Sequence, residues 1–170
     1  MKFPEIALIN FGNTVKKQAK KNKSIIYGAR AIKQQIGFFA RGTFDYDVLS
    51  RQPKKSAKQL ERTLDKQSGG DYFYHQPSQF HKGTHKVYYK GNDRKKGTKD
   101  DVGIADFTTM KKLNTIKVRG IRYSHVSESI KDKRKSLADK QFAFRHEKDR
   151  DDLNRIKAYK KIKKYKLRLY

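Results

Sequence analysis

The sequence predicts an α+β fold: a mixed sheet flanked by helices, with a small helical part at the C-terminus. Three observations point there. Phe44 to Leu49 alternate, with Phe44, Tyr46 and Val48 on one side and Asp45 and Asp47 on the other, the two-residue period of a half-buried strand. Ala57, Leu60 and Leu64 recur three and four apart, the period of a helix that buries one face. Along the chain, helices surround that first clear strand, a run of strands follows, and a helical pair closes the order.

Each element has its own local reason. Pro4 suits the first turn of a helix running to about Asn22, with Ile6, Ile9 and Asn13 on one face and Lys16, Lys17, Lys20 and Lys21 at its C-terminal end, where cations complement the helix dipole. Ile25-Ile26-Tyr27 is a short apolar lead into Gly28. Ala29 to Gln35 are good helix formers, and Gly37 ends them. After the strand at 44–49, Pro53 and Ser56 open a helix that Gly69-Gly70 stops. Strands are expected at Asp71–His75, Gly83–Lys90 and Val102–Phe107, with a loop rich in Gly, Asp and Lys between the last two. Thr115–Val118 and Ile121–His125 form a hairpin about Arg119-Gly120. Ser127 is expected to cap a helix over about 128–140. A last helix starts near Phe144 and buries Leu153 and Ile156. The chain divides into an N-terminal helix (1–22), an α/β core (23–126) and C-terminal helices with a basic tail (127–170).

The charge balance points to a polyanionic partner. The chain carries 43 Lys and Arg against 17 Asp and Glu, a net charge of +26 over 170 residues, spread along the whole length. A compact domain so charged repels itself, and phosphate groups relieve the repulsion while releasing counterions. The hydrophobic fraction is only 35%, yet 10 Tyr and 10 Phe in short apolar runs argue for a folded centre. With no Cys, disulfides and thiolate zinc sites are excluded. No stretch reaches the roughly 18 apolar residues of a membrane span, and the best N-terminal apolar stretch is interrupted by Asn10. The expected setting is the cytoplasm, or a host cytoplasm or virion if the protein is viral.

The sharpest motif is Arg41-Gly42-Thr43-Phe44-Asp45-Tyr46-Asp47. Carboxylates at i and i+2 of a strand project from one face. Like charges that close are costly unless cations sit between them, and divalent cations held so can grip a triphosphate. Taken alone, the two acids read first as the solvent face of a half-buried strand. Gly28, which opens a helix, adds a phosphate-binding helix N-terminus. Asp106, in Val102-Gly103-Ile104-Ala105-Asp106-Phe107, adds a third carboxylate in an apolar strand.

Taken in order, Tyr27-Gly28-Ala29-Arg30, Arg41-x-Thr43-x-Asp45-x-Asp47 and Asp106 resemble the polymerase-β-type nucleotidyltransferase superfamily, closest to its small AbiEii-toxin-like members. Arg145-His146-Glu147-Lys148-Asp149-Arg150-Asp151-Asp152-Leu153 is similar to the Arg-x-x-Lys-Asp-x-x-Asp-Leu run of that family's helical part. The resemblance spans residues 27–153. It implies a nucleotidyltransferase-like sheet and transfer of a nucleotide from an NTP to RNA, such as tRNA, or to another acceptor. Asp45 and Asp47 would hold two Mg²⁺ ions, and Asp106 would hold the catalytic one. Gly28, Ala29, Arg30, Arg41, Thr43 and Lys148 would face the nucleotide. Where this chain has Gly28-Ala29 the family usually has Gly-Ser or Gly-Gly, so a phosphate-binding hydroxyl is missing. On the residues alone, Arg145, Lys148, Asp149 and Asp152 lie at helical spacing and also read as surface ion pairs worth little each.

Other features point to nucleic acid. Lys82 and Lys86 accompany His75, His81, His85, Tyr88 and Tyr89, a set better suited to RNA or phosphate than to zinc, since no acid or thiol stands at metal-ligand spacing. Tyr72, Tyr74, Tyr88 and Tyr89 suit base stacking as well as a core, whereas Phe73 reads as core. Lys160, Lys161, Lys163 and Lys164 lie in a tail that clamps nucleic acid, extends the last helix through Ile156, Tyr159 and Ile162, or does both. The alternative to an enzyme is an inactive nucleotidyltransferase fold serving as a basic nucleic-acid-binding component of a virus particle or other assembly. RNA is the expected partner of an enzyme, and no membrane is expected in either case.

Overall fold

The computed structural model describes the backbone of residues 5–166 and the side chains of residues 11–164. Among the described residues, five α-helices and seven strands follow one another as α1 (Glu5–Lys21), β1 (Ile25–Tyr27), α2 (Gly28–Ile36), β2 (Tyr46–Ser50), α3 (Pro53–Ser68), β3 (Phe73–Pro77), β4 (His85–Tyr89), β5 (Val102–Thr109), β6 (Thr115–Val118), β7 (Ile121–Ser124), α4 (Val126–Ala138) and α5 (His146–Lys166). Short 3-10 turns cover Gly37–Phe39 and Lys140–Arg145. The strands hydrogen-bond in the order β3-β4-β5-β2-β1-β7-β6. Because β2 and β5 run parallel while β3, β4 and β5 alternate, the sheet is mixed, as the α+β reading expects.

The chain forms two compact units, each assembled from separated stretches. Unit 1 comprises residues 1–26, 44–112 and 117–122. In it, α1 buries Phe11, Val15 and Ala19, four residues apart, with Thr14 and Gln18 beside them. That stripe replaces the expected face through Asn13, which is exposed; Pro4 and the side chains of Ile6 and Ile9 lie outside the described residues. Phe11 meets the core ring of Phe73 edge-on, 5.2 Å between centroids. Helix α3 packs Ala57, Leu60 and Leu64, opens on Pro53 and ends on Gly69 in the left-handed conformation. The hairpin turn places Arg119 and Gly120 both at positive φ, the pattern of a two-residue primed turn that matches strand twist.

Unit 2 comprises residues 27–43, 113–116 and 123–170. Its core is Ile32, Ile36 and Ile156, with Phe39, Val126, Ile130 and Tyr159 packed against them. Gln35 stitches α2 to the start of α4: its amide oxygen accepts from the Val126 N–H at 2.9 Å, and its amide nitrogen donates to the Ser124 carbonyl at 2.9 Å. The cap of α4 is His125 rather than the expected Ser127, for the imidazole Nδ1 accepts from the Ser127 N–H. The last helix begins at His146 and continues through Lys166; the end of the basic tail, including Arg168, lies outside the described residues.

Candidate active site

The sheet of unit 1 has two distinct faces. Residues of one parity, including Phe73, Val87, Phe107 and Val48, are buried, and His75 on that face pairs with Glu61 of α3. The other parity carries the acids. Parallel strands β2 and β5 pair Asp47 with Asp106, and antiparallel β4 pairs Lys86 with Asp106. Register partners point to the same side of a sheet, so Asp47, Asp106 and Lys86 form one cross-strand row. Asp45 stands on an exposed bend immediately before β2, so the strand starts two residues later than the alternation of 44–49 suggests.

The row is held by charge. The Lys86 ammonium lies 2.7 Å from Asp106 Oδ2, each side chain being about a quarter exposed (28% and 22%). Burial by itself lowers the affinity of Lys86 for its proton. The hydrogen bond to Asp106, the charge of Asp106, the Tyr88 phenol and the charge of Asp47 outweigh that effect, and the lysine pKa is raised. Thus a single cation sits under the influence of both strand carboxylates. Among the described residues, no three His, Cys, Asp or Glu side chains converge closely enough to hold a metal ion. Asp47 and Asp106 are an oxygen-donor pair already accommodating a positive charge, which suits a hard divalent cation. Asp45 does not close on that pair in this structure.

A tyrosine pair extends the same face. Tyr74 stacks on Tyr88 with centroids 5.2 Å apart and planes 15° from parallel. The Tyr74 hydroxyl donates to Asp101 Oδ2 at 2.5 Å, and burial, that bond and the Asp101 charge push its pKa well above the ordinary phenol value. The same Asp101 oxygen accepts from the N–H groups of Gly97 and Thr98, while Asp100 accepts from those of Asn92 and Asp93. The 91–101 loop is therefore a built structure, with Arg94 over the ring of Tyr72 and Lys96 over the ring of Tyr74.

This arrangement of strands and helices recurs in solved structures. The Megavirus polyadenylate synthase superposes with a TM-score of 0.67 at 19% identity, over 86% of this chain and 30% of that one. JHP933 from Helicobacter pylori gives 0.51 at 12%, over 83% and 60%, and a candidate nucleotidyltransferase from H. pylori gives 0.51 at 11%, over 78% and 59%. The chain shares the nucleotidyltransferase-like fold of these structures. It spans less than two thirds of the length of each of these proteins. No protein-family model and no curated protein matches the sequence.

Within this nucleotidyltransferase fold, the remaining candidate residues fall as follows. Gly28 adopts φ 65°, a left-handed conformation that favours glycine, and opens α2 with no side-chain cap and no acid in its first turn. Such a start leaves helix N–H groups for an anion. Ala29 is buried and Arg30 half-buried. Arg41 pairs with an aspartate: its Nε lies 3.1 Å from Asp152 Oδ1. Thr43 is half-buried, and Lys148 is exposed on α5, as are Lys160, Lys161, Lys163 and Lys164. Lys82 is exposed in the loop before β4.

The C-terminal run departs from the surface ion pairs its spacing suggests. Asp149 and Asp152 are each 1% exposed, and Lys133 of α4, itself buried, reaches both, at 2.8 and 2.7 Å. Arg145 adds a bond to Asp149 at 3.1 Å. Burial raises the Asp149 pKa, but bonds from Lys133 and Ser136 and the charges of Lys133 and Arg145 carry it below the ordinary carboxylate value. Sequence spacing exposed neither Lys133 nor the role of Lys86 beside Asp106. Both partners come from elements distant in sequence.

Among the described residues, the histidines do not join a metal-binding cluster. His75 pairs with Glu61, His81 is exposed, and His85 has its pKa lowered by burial and then by the nearby His75 and Lys54.

Proposed function

We propose that the chain is a metal-dependent nucleotidyltransferase that transfers a nucleotide from an NTP to an RNA acceptor. The observation that carries this reading is the in-register pairing of Asp47 and Asp106 on parallel strands of a nucleotidyltransferase fold. Asp45, Asp47 and Asp106 would hold Mg²⁺, with Asp45 joining the pair from its bend. The bound metal would neutralise triphosphate charge and stabilise the leaving pyrophosphate. The uncapped start of α2 at Gly28 would bind phosphate oxygens through its N–H groups. Asp152 holds Arg41, and so fixes the segment that leads to Thr43. RNA as acceptor draws support from the net charge of +26 and from the name of the viral polyadenylate synthase. Among the described residues, no helix is long and apolar enough to cross a membrane.

Incubation with labelled nucleoside triphosphates, Mg²⁺ and total RNA should label the RNA, whereas the Asp45→Ala, Asp47→Ala double variant should not. Equal labelling by that variant would end the enzymatic reading.

A second reading has its own support. Lys86 already neutralises Asp106, and among the described residues the three acids do not converge. This pattern suits an inactive fold that binds nucleic acid as part of a larger assembly. That role requires steeply salt-dependent RNA affinity, unchanged on removal of the aspartates. Salt-insensitive binding rules it out.

A further inference from the structure

Helices α1 and α3 cover the sheet face opposite the Asp47–Asp106–Lys86 row, and among the described side chains their outer surface is cationic. The two helices meet along a polar seam. Thr14 donates to Gln67 at 2.8 Å, the Gln18 amide to the Ser56 carbonyl at 2.8 Å, and the Asn22 amide to Gln59 at 3.1 Å. Beside the seam residues stand exposed cations: Lys17 next to Gln18, Lys21 next to Asn22, Lys58 next to Gln59 and Lys66 next to Gln67. Lys55 and Arg62, both exposed, complete a stripe on α3 through positions 55, 58, 62 and 66, recurring every three or four residues over about 16 Å of helix.

The acids of α3 do not answer this charge. Glu61 is turned to His75, and Asp65 accepts from the N–H groups of Tyr72 and Phe73 at 2.8 and 2.9 Å. Both carboxylates are thus spent on holding β3. A cationic helix face also suits an anionic membrane, but membrane-surface helices insert apolar side chains. Here the apolar stripe of α3, Ala57, Leu60 and Leu64, is wholly buried, and none of the exposed large hydrophobic side chains among the described residues lies on α1 or α3.

We propose that the α1–α3 surface is a docking track for the phosphate backbone of single-stranded RNA, on the opposite side of the sheet from the acids. Binding there needs no catalysis, so the proposal stands or falls apart from the enzymatic reading. The test uses the full chain, a fluorescent oligouridine and anisotropy titrations between 50 and 200 mM salt. Each phosphate contact on a single strand contributes about 0.7 to the salt slope. The Lys55→Gln, Lys58→Gln, Arg62→Gln, Lys66→Gln variant should therefore lose a slope of about 3. Its affinity should fall about 50-fold less than that of the wild type across this salt range. Glutamine keeps helix propensity, and an unchanged circular dichroism melt verifies the fold. Asp47→Asn, Asp106→Asn should keep the wild-type slope. A quadruple variant that melts normally yet keeps the wild-type slope overturns the proposal. So does one that loses only binding to phosphatidylserine vesicles.

Discussion

The Lys86 ammonium and the Asp106 carboxylate face each other across β4 and β5, 2.7 Å apart, with Asp47 in register on the far side of Asp106. A lysine here places a positive charge where a metal ion would stand, beside carboxylates on two neighbouring strands. Removing it leaves two like charges side by side. Lys86→Met should lower the melting temperature in metal-free buffer by roughly 2–6 °C, the equivalent of about 1–2 kcal/mol in a chain of this size. Millimolar Mg²⁺ should close that gap, while NaCl of equal ionic strength should not, because only a cation bound to the folded state stabilises it by mass action. A gap that Mg²⁺ leaves unchanged would show that the pair does not bind the ion.

The buried network of unit 2 gives a sharper stability prediction. Lys133 serves Asp149 and Asp152 together, and both carboxylates are almost wholly buried. Lys133→Met strips their shared partner and should cost about 3 kcal/mol, since an uncompensated buried charge is expensive. Adding Asp149→Asn and Asp152→Asn to that variant should recover part of the loss. Urea denaturation of the three proteins measures both steps. A Lys133→Met variant as stable as the wild type would mean that Arg41 and Arg145 suffice.

Acid should weaken the same network. The folded Asp149 pKa is depressed below the ordinary 3.8, so the unfolded chain binds the proton more readily. The stability contributed by this carboxylate is present above pH 3.8 and is lost as pH falls through the lower folded value. Wild-type stability should drop more steeply below pH 3.8 than that of Asp149→Asn, whose starting stability is lower. Parallel pH profiles for the two proteins would remove Asp149 as the cause.

Much of the fold was legible because its signals are local. Leu60 and Leu64 repeat on one side of α3, Gly69 stops it, and Arg119-Gly120 turns a hairpin. The Asp45-x-Asp47 pair and the lone Asp106 were legible as candidates because carboxylates in an apolar strand need a reason. Their partners were not. Lys86 reads as one lysine among many until β4 and β5 are set in register, which depends on pairing across the 91–101 loop. Lys133 reads as a surface helix residue because its burial is decided by Asp149 and Asp152 on another helix. Asn13, expected on the buried face of α1, is exposed, because Phe11, Val15 and Ala19 form a stripe of their own whose Phe11 ring packs against Phe73.

That packing also explains a glycine in the middle of α1. A Cβ on Gly12 would lie 2.7 Å from the Tyr46 hydroxyl, while the next ring atom is 3.4 Å away. Tyr46 is 5% exposed and stands between Asp45 and Asp47, so this close approach helps fix the strand start that carries the acids. In a helix interior, Gly→Ala should gain about 1 kcal/mol by propensity alone. In the native background, however, Gly12→Ala must displace a buried ring, and overpacking of that kind costs about 1–3 kcal/mol. The substitution should therefore destabilise the protein when Tyr46 is present. In a Tyr46→Phe background the hydroxyl is gone, and the same Gly12→Ala change should stabilise. Thermal melts of the four proteins in this cycle supply the sign directly. If Gly12→Ala has the same sign in both backgrounds, the hydroxyl is not what keeps position 12 a glycine.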